Sequence, residues 1–193
     1  EKQIKLLDNL NFQTDFENFI DHQKNSKEKT CFDINNNFFS EGDAEFLFNF
    51  IRYMKPKNII EVGSGESTKV VSAAIKFNKK EIDKITNHIC IEPYEHKWLE
   101  SFTSIKLVRK KIEELNQEFF SNLNSGDFLF IDSSHMIRPQ GDVLFELLEV
   151  IPSLKKGVYV HIHDIFTPYD YPEHWLKQWV TFWNEQYLLE STL

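Results

Sequence analysis

The feature that most constrains the fold is a junction between two kinds of periodicity near residue 60. Asn58-Ile59-Ile60-Glu61-Val62 is a short apolar run rich in β-branched residues, which reads as a buried strand. It passes at once into Gly63-Ser64-Gly65-Glu66-Ser67-Thr68, and a helical pattern runs from about Ser67 to Lys79. Gly63 and Gly65 permit unusual φ values and close backbone approach. The helix start that follows offers free N–H groups. A strand, a Gly-x-Gly turn and a helix start together make a backbone cradle for a nucleotide-like ligand.

The same alternation continues along the chain. Further strands are read at His88–Glu92, Ile105–Val108, Phe128–Asp132 and Val158–Asp164. Ser40, with Asp43 three residues on, reads as an N-cap opening a helix with Phe46, Leu47, Phe50, Ile51 and Met54 on one face, stopped at Pro56. Helices are also expected over 112–123, around Leu144–Ile151, and over 173–190, where Trp175, Trp179 and Trp183 form a core or interface stripe. This alternation implies an α/β fold around a parallel sheet. Residues 1–39 read as a helical and loop extension, and 40–193 as the main domain. Three strands end in acids, at Glu92, Asp132 and Asp164. In open α/β sheets the ligand crevice lies beyond these strand ends.

Which ligand the cradle takes can be narrowed. A dinucleotide fingerprint wants a small residue where Thr68 stands, and no Walker A loop exists. Glu66 beside a pyrophosphate would be repulsive, so a ligand without phosphates suits the turn better. With 22 Lys and Arg against 30 Asp and Glu, the net charge of −8 argues against nucleic acid as a partner. No apolar run approaches a membrane span, and the N-terminus lacks a signal-peptide core. Cys31 and Cys90 read as unpaired thiols in a reducing, cytoplasmic setting.

Glu61-Val62-Gly63-Ser64-Gly65-Glu66-Ser67 resembles the first motif of class I S-adenosylmethionine-dependent methyltransferases. Glu92 is similar to the acid that holds the ribose hydroxyls there, and Asp127–Asp132 to their fourth strand. The resemblance implies a Rossmann-like sheet in the order 3-2-1-4-5, with S-adenosylmethionine bound by Glu61, Gly63, Ser64, Gly65, Ser67, Glu92 and Asp132. Glu61 would either bind the methionine amino group or orient the loop. Lys111-Ile112-Glu113 stands where the family contacts adenine.

The motifs of nucleobase methyltransferases, Asn/Asp-Pro-Pro-aromatic and Pro-Cys, are absent. A hydroxyl on a small molecule, a sugar or a secondary metabolite, becomes the expected acceptor. The ends of strands four and five resemble metal-assisted O-methyltransferases, with Asp132, His163 and Asp164 as the candidate ligand set for a divalent cation. A metal-free route would use His135 or His163 as general base. His161, sharing a face with His163, reads as structural.

Thr167–Pro172 is either a lid over the acceptor or a packed connection. Two rival readings stay open: a non-catalytic methyltransferase-like domain binding a partner through its Trp-rich last helix, and an NAD-type oxidoreductase. The antiparallel strand pair that completes such sheets is not in view. The chain therefore reads as a shortened form, with strand five near an edge that the N-terminal segment or a second subunit, as in a homo-oligomer, would cover.

Overall fold

The computed structural model describes residues 2–24, 26 and 28–192. Five strands form one all-parallel sheet: β1 (Asn58–Val62), β2 (Asn87–Ile91), β3 (Lys106–Val108), β4 (Phe128–Ile131) and β5 (Tyr159–Ile162). Their order is β3-β2-β1-β4-β5, the Rossmann-like arrangement expected. β1 is central, with Glu61 paired to Cys90 on one side and Phe130 on the other. Ile59 to Val62 are all buried, which is why this strand reads as an unbroken apolar run rather than an alternating one.

The period of two divides the sheet between two cores. Ile59, Phe128 and Phe130 face a core built with α2 (Gln13–Gln23), α3 (Glu41–Met54) and α4 (Glu66–Ile82). Ile60, Val62, Leu129 and Ile131 face the other, with Ile112, Leu123 and Val150. Phe16, Phe19, Phe32 and Phe39 of the N-terminal extension share the first core. The extension includes α1 (Lys2–Asn9), and Phe16 and Phe19 of α2 pack on Phe48 at 5.5 and 5.7 Å between ring centres. The buried Arg52 of α3 ties them down through Asp15 at 2.7 Å and reaches Glu81 of α4 at 2.9 Å. Among the described residues no helix is long and apolar enough to cross a membrane, and both cysteines are free thiols.

Two expected helices are not continuous. Over 112–123 the chain makes 3-10 turns, Ile112–Glu114 and Gln117–Asn122, with Leu115 extended between them. Asn116 accepts a hydrogen bond from the Phe119 N–H, so its side chain competes with the helical ladder. Over 173–190 only α7 (Glu173–Lys177) and α8 (Glu185–Thr192) are helical. Val180 between them is left-handed (φ 55°). Asn184 is drawn to the loop after β4, where its side chain accepts from the Ile137 N–H at 2.6 Å and its own N–H donates to the His135 carbonyl at 3.0 Å. The tryptophans therefore do not form a stripe on one helix. They fold onto one another, with Trp175 stacked on Trp179 at 5.7 Å and meeting the edge of Trp183 at 5.0 Å.

The helical region after β4 consists of α5 (Asp142–Phe145), a π-helical turn Glu146–Val150, and α6 (Ile151–Ser153). The π turn holds Glu146 almost fully buried, with one oxygen accepting from the Ser133 hydroxyl at 2.9 Å and the other unpartnered. Burial pushes this carboxyl up to about 8; the Ser133 hydroxyl opposes the shift, and the charges of Asp142 and Glu185 add to it. A folded-state value above the ordinary 4.5 means the protonated acid contributes stability below that value, lost as pH rises through about 8. Glu146→Gln is expected to flatten this decline. Thermal unfolding from about pH 5 to about pH 9 checks it: the variant gains on the wild type progressively as pH rises, and the difference levels off above about pH 8.

Candidate functional site

The Gly-x-Gly turn is built around one obligatory glycine. Gly63 has φ +74°, and a β-carbon there would lie 1.7 Å from the backbone carbonyl oxygen of Asp132. Gly65 is different. Its φ of −169° is extended backbone open to any residue, and a β-carbon would only press the His96 ring at 3.3 Å. The close approach of β1 to the end of β4 thus requires Gly63 alone.

Thr68, the residue that breaks the dinucleotide fingerprint, has a job of its own. Its hydroxyl accepts from the Gly65 N–H at 3.0 Å and donates to Glu61 Oε1 at 2.8 Å. Ser67 donates to the same oxygen at 2.7 Å, and His88 Nε2 lies 2.7 Å from Oε2. Glu61 is wholly buried and walled in by these partners. Through these bonds it ties the start of α4 and β2 to β1. Ser67 is spent on the same network, so neither residue faces the cavity. Cys90 completes the cluster, and burial with the Glu61 charge pushes its thiol far up, leaving it inert.

The cavity lies beyond the carboxyl ends of the strands, with a volume of about 830 Å³. Gly63, Glu92 and Asp132 line it from the ends of β1, β2 and β4, and Lys111, Ile112 and Glu113 form another part of its wall. Glu92 Oε1 accepts from the N–H groups of Tyr94 and Glu95 at 2.9 and 2.8 Å, while Oε2 has only a long contact, 3.4 Å, with the Ser64 N–H. The carboxylate is fixed in place with accepting capacity left on Oε2. The Ser64 hydroxyl is buried and has no partner. A fixed carboxylate beside a glycine with no side chain forms a site suited to a nucleoside bearing free ribose hydroxyls; the Ser64 hydroxyl does not line the cavity.

At the other end, Asp132 and Asp164 meet across His135. His135 Nε2 is 3.1 Å from Asp132 and 3.9 Å from Asp164, and its Nδ1 is 2.5 Å from Glu185 of α8. Trp183 covers the ring at 4.1 Å. His135 and Asp164 both sit in the left-handed region, φ 58° and 56°, rare for residues with side chains and typical of sites that fix a geometry. Burial alone would depress His135, but its bonds to Asp132 and Glu185 outweigh this and hold it at about 10. His163 is likewise buried, with its nitrogens 3.3 Å from Asp164 and 3.7 Å from Asp132 and Asp43, and is held at about 10 chiefly by Asp164 and Asp43. Burial, then the charge of His163, lowers His161 to about 4; it packs against Phe130 and Phe46 as a neutral ring.

These placements alter two expectations. Neither His135 nor His163 lines the cavity; both stand behind Asp132, which does. Two groups have ligand atoms within 4.8 Å of one another: the buried Glu61, His88 and Cys90 under the turn, and at the strand ends Asp132, His135 and Asp164, with His135 in the place expected of His163. In the Thr167–Pro172 segment Tyr171 is buried with its hydroxyl accepting from the Gln186 N–H, and Asp170 accepts from the Tyr187 hydroxyl, while Thr167, Pro168, Tyr169 and Asp170 are exposed. Glu185, Asp43 and Trp183 escaped sequence reasoning as site residues. Glu185 is 50 residues from His135, and no spacing rule links them.

An open parallel sheet with its ligand cradle after β1 defines a Rossmann-like nucleoside-binding class. A family model described as a methyltransferase domain matches residues 60–165, more than half of the chain, and the chain belongs to that family. A protein of Archaeoglobus fulgidus with no described function is 27% identical over 127 residues, covering 64% of this chain; the chain spans about half the length of that relative, 56%. A Plasmodium falciparum structure with S-adenosyl-L-homocysteine bound, provisionally assigned as a protein-L-isoaspartate O-methyltransferase, is 17% identical. It covers 83% of this chain and 84% of its own, with a TM-score of 0.42.

Proposed function

We propose that the cavity binds S-adenosylmethionine and that the chain transfers its methyl group to a hydroxyl of a small molecule, a sugar or secondary metabolite. The observation that carries this is the joint placement of Gly63, the fixed Glu92 carboxylate and Asp132 around one cavity. Gly63 and Ser64 would receive the methionine part, Glu92 the ribose diol, and Lys111 to Glu113 the adenine. The bound cofactor supplies an electrophilic methyl on a sulfonium.

The remaining work falls to the chain: alignment of the acceptor and removal of its proton. Asp132 is the group presented to the cavity, so it takes the hydroxyl proton. His135 and His163 hold its carboxylate in place from behind. The acidic net charge favours a small acceptor over nucleic acid.

A metal-assisted version has one observation in its favour. Glu185 holds Nδ1 of His135 and leaves Nε2 facing Asp132 and Asp164, the carboxylate-backed arrangement of a metal-bound histidine. Asp132, His135 and Asp164 would hold the ion, with a donor set suited to Mn²⁺, Fe²⁺ or Zn²⁺, and it would polarise the acceptor oxygen.

Calorimetry with S-adenosylhomocysteine tests the cofactor, and turnover with a labelled methyl donor across a panel of hydroxylated acceptors, with and without Mn²⁺, tests the reaction. Asp132→Asn is expected to lower turnover by about 10²–10⁴-fold while product binding changes little. Binding of NAD in place of S-adenosylhomocysteine would overturn the reading. Binding with no turnover on any acceptor would favour the non-catalytic alternative.

A further inference from the structure

A second cavity, of about 600 Å³, lies away from the strand ends, between α2, residues 30–32 and the outer face of α4. Its size is within the range of small-molecule sites. The walls are largely aromatic, from Phe19, Phe32, Phe77 and Phe102. The rim carries more cations than acids. Lys76, Lys79 and Lys80 border it, spaced so that they share one helix face. All three are exposed, and none has a carboxylate within 4 Å among the described residues. Lys69 also lines it but is already engaged by Glu66, the Cys31 carbonyl and the Trp98 ring. On a chain of net charge −8, three lysines against the one acid on the rim, Asp83, are a local reversal of sign over an apolar hollow.

The wall carries a second sign of a ligand. Ser72, one turn before Lys76, is 3% exposed and lines this cavity, yet its hydroxyl has no hydrogen-bond partner. Buried polar groups without partners are costly, at roughly 1–3 kcal/mol each, and need an explanation. A bound molecule offering an acceptor to Ser72 supplies one. We infer that this cavity is a second binding site, taking a small molecule with a flat aromatic body and an anionic head. The body packs between the phenylalanines; the carboxylate, sulfonate or phosphate meets the lysines.

The test uses the full chain and naphthalene-2-sulfonate, with neutral 2-naphthol as its uncharged counterpart, followed by calorimetry. Single-site saturation is expected for the sulfonate, with 2-naphthol weaker by about tenfold or more. The double variant Lys76→Glu/Lys80→Glu should lose about tenfold or more in sulfonate affinity while its unfolding midpoint stays that of the wild type. Amide shifts on titration should cluster at residues 72–80. Absence of saturable binding, equal affinity in the charge-reversed variant, or displacement of the sulfonate by S-adenosylhomocysteine would each overturn the inference. It stands independently of the methyltransferase reading, since failure of S-adenosylhomocysteine to bind leaves its predicted outcomes unchanged.

Discussion

Gly63→Ala is expected to lower the unfolding midpoint by about 5–15 °C and to abolish the S-adenosylhomocysteine titration. Two costs add. An alanine held at φ +74° loses roughly 1–2 kcal/mol in a left-handed conformation. Its β-carbon would also lie 1.7 Å from the Asp132 carbonyl oxygen, which is backbone and cannot rotate away. The ends of β1 and β4 must then separate, although the Asp132 N–H donates to the Val62 carbonyl at 2.9 Å. Overpacking of this kind typically costs about 1–3 kcal/mol. The displaced residue is Asp132, so the damage reaches the proposed reaction centre as well as the cradle. Gly42→Ala is the control: it lies near the start of α3 with nothing within 4 Å of the added carbon, and it should be neutral or slightly stabilising. A Gly63→Ala protein that melts with the wild type would mean that the close approach of these strands does not exist.

The parts of the fold legible in the sequence were those set by local rules. The five strands followed from short apolar runs alternating with helices, and the cradle from glycine placed between a strand and a helix; the strand order came only from the resemblance to a known family. The face shared by His161 and His163 followed from the strand period, and both rings do lie on Phe130. What stayed hidden was set by tertiary partners. The 173–190 segment carries helical spacing, but hydrogen bonds between Asn184 and the 135–137 loop pull it apart. His135 looked like a free base because the carboxylate that holds its Nδ1 lies on α8, far along the chain. Thr68 looked like a defect in a fingerprint; its role appears only once Glu61 is seen to need a donor. Each of these depends on a contact between residues distant in sequence or on the exact partner of a buried group, and neither is written in periodicity.

Glu61 provides the second large effect and separates anchoring from ligand binding. Glu61→Ala would leave the Ser67 and Thr68 hydroxyls and the His88 imidazole without their buried partner. Removing one member of a buried charged network costs about 3–5 kcal/mol, a large share of the total stability of a domain. Glu61→Gln should cost far less, about 1–2 kcal/mol. Its carbonyl oxygen can still accept from Ser67 and Thr68. Its amide would face His88 Nε2, and it is tolerated once that imidazole moves its proton to Nδ1, a buried nitrogen with no partner of its own. Denaturant unfolding of the two variants checks the ranking. The same proteins titrated with S-adenosylhomocysteine discriminate the two roles of this acid. If Glu61 anchors the turn, stability falls steeply in the alanine variant, and affinity in the folded glutamine variant stays close to wild type. If it binds the methionine amino group instead, the glutamine variant keeps its stability and loses its ligand. The geometry favours the first outcome, because every face of the carboxylate is occupied by the protein and none is turned to the cavity.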